Sequence, residues 1–154
     1  MLVYRITAKE FSHNLYAPGI SGRWNGIGRK VIYAAESIPL AFMENMIRRK
    51  GTGFNDHFTT MIIDIPDSLG VSEINMEDLE DGWRDYRDYS QCQMAGNKWY
   101  DACRTPVLKV PSEVIPECSN YVINTTHPEF SRINLNSVIP IIPDERIEDI
   151  SKGL

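Results

Sequence analysis

The chain has 154 residues, 42% hydrophobic and 24% charged, which suits one globular domain and argues against a disordered, collagen-like or coiled-coil chain. A domain of this length buries about two-thirds of its unfolded surface, enough for a real core. The net charge of −5 argues against non-specific nucleic-acid binding, and no apolar stretch approaches the ~20 residues of a membrane span.

In chain order, LVYRI at 2–6 reads as a short strand. Residues 11–28 hold Pro18, Gly19, Gly22, Gly26 and Gly28, a loop with unusual backbone demands. VIYAA at 31–35 reads as a second strand. Ser37 is a suitable N-cap, with Pro39 in the first turn of a helix running to about Lys50 and stopped by Gly51 and Gly53. FTTMIIDIP at 58–66 is a β-rich run ended by Pro66. The acidic stretch 67–90 reads as irregular, with a short helix near 76–81, and 94–104 as a short helix containing Trp99. TPVLKVPS at 105–112, NYVIN at 120–124 and VIPII at 138–142 complete the strands, with Pro140 confining the last to an edge or bulge. Strands dominate without the regular alternation of βαβ units, so the expected class is α+β, one domain over 1–154.

Cys92, Cys103 and Cys118 are odd in number and widely spaced, and His13, His57 and His127 are scattered. This pattern predicts reduced thiols and no metal site. The N-terminal MLVYRITAKEF lacks the order of a secretory leader, and the expected location is the cytoplasm. Residues 1–50 carry eight Lys/Arg against three Asp/Glu, whereas the rest carry eight against eighteen. A basic first third suits one small anionic ligand, although Arg48, Arg49 and Lys50 also suit the end of a helix dipole.

Four segments hold residues with chemical potential. On the predicted helix, Leu40, Met43 and Ile47 fall on one side, with Glu44 about 40° from Leu40 and with Ala41, Asn45, Arg48 and Arg49 on the polar arc. Glu44 then borders the buried face and needs a partner, from the protein or from a ligand. SGRWNGIGRK at 21–30 sets Arg23 and Trp24 among glycines. Arginine there suits bidentate phosphate contact, although the segment is neither a Walker A loop nor a dinucleotide fingerprint. Tyr33 is central in its strand. Ser112 lies in a turn after a strand, without the G-x-S-x-G context of an activated serine.

Taken in order, VYRI at 3–6, GRWN at 22–25, VIYAAES at 31–37 with LAFMEN at 40–45, GNKW at 96–99, and VPSEVIP and NYVINTTHPEF within 110–130 resemble the RES-domain family. These are the toxins of bacterial RES–Xre toxin–antitoxin modules. The family arginine, glutamate and serine fall on Arg23, Glu44 and Ser112, and its active-site tyrosine on Tyr33. Thr125 and Thr126 depart from the family's pattern at that turn. The resemblance implies an ADP-ribosyltransferase-like single domain with a mixed, mostly antiparallel sheet and few helices. It implies NAD as substrate, cleaved at the nicotinamide–ribose bond, with water, phosphate or a protein side chain receiving the ADP-ribose. It also implies an Xre-type helix-turn-helix antitoxin as partner, through which alone the chain would meet DNA.

These residues suit that chemistry. Nicotinamide leaves as a neutral molecule, so the barrier lies in an oxocarbenium-like ribose, which a carboxylate such as Glu44 stabilises. Arg23 suits the pyrophosphate, Tyr33 the nicotinamide ring, and Ser112 the nicotinamide or its ribose, with Trp24 beside them. Two alternatives stay open: a serine hydrolase built on Ser112 and His127, and a non-catalytic phosphate- or nucleotide-binding module built on the Arg23–Trp24 loop.

Overall fold

The structure, a computed structural model, describes residues 1–49 and 57–153. Seven strands form one sheet: β1 (Leu2–Ala8), β2 (Val31–Ala35), β3 (Phe58–Asp64), β4 (Val71–Glu73), β5 (Val107–Pro111), β6 (Ser119–Asn124) and β7 (Asn134–Pro140). Their order across the sheet is β4-β5-β6-β2-β1-β3-β7. Only β4 and β5 run parallel; the other pairings are antiparallel. The helices are α1 (Ile38–Arg48), α2 (Ser90–Ala102) and α3 (Glu145–Lys152).

Alternation along the strands divides the core. Ile32 and Ala34 of β2 join Val3, Met61, Ile63 and Ile123 on one face. Tyr33 and Ala35 face the other way, where two clusters lie. One packs α2, through Cys92 and Trp99, on Leu108, Val110 and Val122. The other packs α1, through Leu40 and Ala41, on Ile6 and Ala35. Both helices therefore cover the same face of the sheet.

The centre of the sheet is forked. β1 pairs with β3 over seven residues but with β2 only at Tyr4–Ala35. Beyond that pair the two strands part, and backbone groups along the gap need other partners. Arg5 supplies one, donating from Nη1 to the Tyr33 carbonyl at 3.3 Å.

Several expectations shift. Ser37 caps α1 as expected, its side chain accepting from the Leu40 N–H, while the stop at Gly51 and Gly53 lies outside the described residues. α2 begins at Ser90 rather than 94, and the Asp88 carboxylate, just before it, accepts the Ser90 N–H at 2.9 Å. The helix near 76–81 is a single 3₁₀ turn, Met76–Asp78. The last strand spans 134–140 rather than 138–142 and forms an edge ending at Pro140, as its missing donor requires. β4 and α3 were not expected at all.

Candidate active site

The site grows from one turn of α1. The helix is rotated from its expected orientation: Leu40 and Ala41 are buried, whereas Ile47 is 56% exposed. Small Ala41 lets the helix sit close to the sheet, and Asn45 satisfies the Ile6 carbonyl through Nδ2 at 3.1 Å. Glu44 projects between the buried Leu40 and Ala41 and is carried onto the sheet-facing side.

Its carboxylate is held from one side. Glu44 Oε1 accepts from Ser112 Oγ at 2.7 Å and from Asn120 Nδ2 at 2.6 Å. Oε2 has no hydrogen-bond partner among the described residues. Burial, followed by the charge of Glu113, pushes the Glu44 carboxyl above the usual glutamate value; the Asn120 and Ser112 bonds pull it back only in part. Asn120 sits on β6 opposite Val110, so one hairpin end places both donors.

Ser112 is fully buried just past β5. Its Oγ also accepts the Val114 and Ile115 N–H groups, both at 3.1 Å. With its proton given to Glu44 and both acceptor positions filled, this hydroxyl positions the carboxylate and is not poised as a nucleophile. His127 lies past the opposite end of β6, buried, its Nδ1 accepting the Glu129 N–H at 3.1 Å. A strand of this length sets Ser112 and His127 roughly 17 Å apart, so the hydrolase pairing does not form.

Tyr33 fixes the glycine-rich loop. Its hydroxyl accepts the Trp24 N–H at 2.9 Å and donates to Asn25 Oδ1. Burial raises its phenol well above the usual range. Asn25 Nδ2 in turn donates to the Ile20 and Arg29 carbonyls. From α2, Gln93 Nε2 reaches the Gly22 carbonyl at 2.8 Å, and Asn97 Oδ1 accepts the Gly26 N–H at 2.8 Å.

Arg23 is buried, not open as the loop composition suggested. It is 6% exposed. Its Nη1 donates to the Trp83 carbonyl at 2.7 Å, its Nε lies 3.4 Å from Glu113, and its guanidinium stacks 4.5 Å from the Tyr89 ring. It pairs with Glu113, not Glu44. Trp24, expected beside the ligand, is 2% exposed and packs with Trp83 and Trp99 in the core. The fold thus gathers Glu44 and Ser112 directly, links Tyr33 and Arg23 through one loop, and turns Trp24 away.

Sequence reasoning missed Asn120 and Glu113. Glu113 was legible as the neighbour of Ser112; Asn120 depended on the strand register. Among the described residues, no group of three or more His, Cys, Asp or Glu is arranged to hold a metal ion, and no helix is long and apolar enough to cross a membrane.

Known proteins resemble this chain in sequence and in fold. The RES domain profile matches residues 2–146. A protein named Toxin Res from Pseudomonas putida is 32% identical over 96% of this chain and 99% of its own length. The Prs ADP-ribosylating toxin of a Sphingobium species is 32% identical over 82% of this chain and 80% of its own. A chain in the crystal structure of the M. tuberculosis MbcT–MbcA toxin–antitoxin complex superposes with a TM-score of 0.74 at 19% identity, covering 99% of this chain and 87% of that one. The fold is therefore shared with that chain: a single α+β domain with a mixed, mostly antiparallel sheet, as expected. With Glu44 and Ser112 hydrogen-bonded at its centre and a profile match across nearly its whole length, the chain belongs to the RES domain family.

Proposed function

We propose that the chain is an NAD-cleaving toxin, restrained in the cytoplasm by an Xre-type helix-turn-helix antitoxin. The observation that carries this reading is the Glu44 carboxylate, gripped on Oε1 by Ser112 and Asn120 with Oε2 unengaged. Family membership supports it, as do a relative named as an ADP-ribosylating toxin and a structural neighbour from a toxin–antitoxin complex.

NAD is the substrate here, and no separate cofactor is invoked. The C–N bond between ribose and nicotinamide breaks, and nicotinamide leaves with the bonding pair as a neutral molecule. Positive charge develops on the ribose ring, and the Glu44 carboxylate offsets it. An acceptor oxygen, from water, phosphate or a protein side chain, then bonds to the ribose carbon and releases its proton. Ser112 and Asn120 act through Glu44, fixing its orientation before the charge develops. Tyr33 offers a half-buried ring for the nicotinamide and holds the loop that carries Arg23.

The deciding experiment incubates purified protein with NAD, with and without phosphate, and identifies products by mass. Released nicotinamide with ADP-ribose or its phosphorylated form is the expected result. NAD bound in stoichiometric amount with no nicotinamide released would instead favour the non-catalytic binding module.

A further inference from the structure

The acceptor in the proposed reaction gives up a proton as it bonds to the ribose, and Glu44 is poorly placed to take it. Its Oε1 is held by two donors, and its charge is used on the ribose. A second carboxylate stands one residue beyond Ser112. Consecutive Cα atoms lie about 3.8 Å apart, and Ser112 Oγ is itself 2.7 Å from Glu44 Oε1, so Glu113 belongs to the wall of the same site.

The backbone at Glu113 is pinned. The Ser112 N–H donates to the Cys118 carbonyl at 2.9 Å, the Val114 and Ile115 N–H groups close back on Ser112 Oγ at 3.1 Å, and Arg84 Nε donates to the Glu113 carbonyl at 2.9 Å. The carboxylate is held loosely by comparison. Its ion-pair partner is Arg23, whose Nε lies 3.4 Å from Oε1 without forming a hydrogen bond. Arginine–carboxylate pairs that fix structure are frequently bidentate; among the described residues no hydrogen bond reaches either oxygen of Glu113. The side chain is 26% exposed, so water reaches it and a proton can leave it. Its charge acts on Glu44 more than that of Arg48 does, and acts on Tyr33 and Cys92 as well, in agreement with a side chain turned toward the site.

We propose that Glu113 is the base that takes the acceptor's proton, and that the acceptor is water. This rests on the NAD reading above. Two carboxylates beside a ribose suit a neutral O–H, one offsetting charge and the other receiving the proton, as in glycoside hydrolysis. The same pair repels an anionic acceptor such as phosphate. As the C–N bond breaks, nicotinamide takes the bonding pair. The water oxygen bonds to the same ribose carbon, and its proton passes to the Glu113 carboxylate and on to solvent. The products are nicotinamide, ADP-ribose and one proton.

The test uses the intact chain, NAD, and sodium azide as an acceptor that has no proton to lose. Glu113→Ala should release nicotinamide about 10²-fold more slowly than wild type in plain buffer, the worth of one general base. Azide should restore at least about 10-fold of that loss and give ADP-ribosyl azide, identified by mass, while leaving Glu44→Gln slow. A loss in Glu113→Ala that azide does not relieve would make Glu113 only the partner of Arg23 and overturn its role as base, as would full turnover without azide. Wild type alone decides the acceptor, even where a variant fails to fold: in phosphate buffer it should yield ADP-ribose, and a phosphorylated product in preference would overturn water as acceptor. Wild type that releases no nicotinamide with water, phosphate or azide would instead sink the NAD reading itself.

Discussion

At the scale of single residues, Glu44 is under strain of charge, and its replacement separates chemistry from folding. Glu44→Gln keeps an amide oxygen for the Ser112 and Asn120 donors but cannot offset an oxocarbenium ion. Nicotinamide release should fall roughly 10²- to 10³-fold, the size of losing one well-placed electrostatic group, with kcat affected more than KM. Stability should move the other way. The folded-state value of Glu44 is raised, so its protonated form favours folding, and that contribution is lost as pH rises from the ordinary glutamate value through the raised one. Glu44→Gln should therefore melt at or above wild type near neutral pH and lose any advantage below the ordinary glutamate value. Melting curves at several pH values check this; a stable, fully active variant would remove Glu44 from the chemistry. Arg23→Ala should behave in the opposite sense. It strips Glu113 and the Trp83 carbonyl of their buried partner, which costs roughly 2–4 kcal/mol. A drop of about 5–15 °C in Tm follows for a chain of this length, and an unchanged Tm with weakened NAD binding would restore Arg23 as a ligand. These residues differ in how legible they were. Glu44 and Ser112 stood out by family position, but nothing local shows that Ser112 spends its hydroxyl on Glu44, because sixty-eight positions separate them.

At the scale of elements, the loop that carries Arg23 depends on α2 more than on itself. Gly96 lies where α2 touches the loop: a Cβ there would stand 1.8 Å from the Trp24 carbonyl oxygen. Both sides of that contact are backbone, so neither can swing away. Gly96→Ala should cost about 3 kcal/mol, the upper range of overpacking, and should also lower NAD turnover by displacing the loop that Tyr33 anchors. Gly28→Ala is the control in the same loop. Its φ of +88° strains a side chain, but nothing lies within 4 Å of the added carbon, so about 1 kcal/mol is expected. Equal melting of the two variants would deny that the α2 contact matters. Most strands were readable within two or three residues because β-branched runs ended at Pro66, Pro111 or Gly-rich turns. β4 escaped because three residues show no alternation; it exists through its parallel pairing of Val71 with Val107. α3 had a readable start, since Asp144 follows Pro143 and accepts the Arg146 N–H at 2.9 Å, but its helix is strongly charged and mostly exposed.

At the scale of the whole molecule, the fork between β1 and β2 is what turns a sheet into a site, and strand order is the part of the fold that no local pattern encodes. β1 and β2 are consecutive strands, yet they share a single register pair, while β1 finds its long partner in β3. Loop 9–30 is what permits the separation, and Arg5 fills the gap that results. The chain's net charge is −5, so any attraction for a phosphate ligand is local and the far field opposes it. Both features enter one measurement. Glu44→Gln, which should bind NAD without consuming it, should gain stability from NAD because only the folded chain has the fork. At a ligand concentration of 100 times Kd the gain is about 2.7 kcal/mol, or roughly 5–10 °C in Tm for a domain of this size. The shift at a fixed NAD concentration should shrink as salt rises from about 0.05 to 0.3 M, because attraction between a phosphate ligand and exposed cations is screened within a Debye length of about 10 Å at 0.1 M. A Tm that NAD leaves unmoved at every salt concentration would sink NAD as the ligand. A full shift without salt dependence would keep NAD but show that burial, and not exposed charge, holds it.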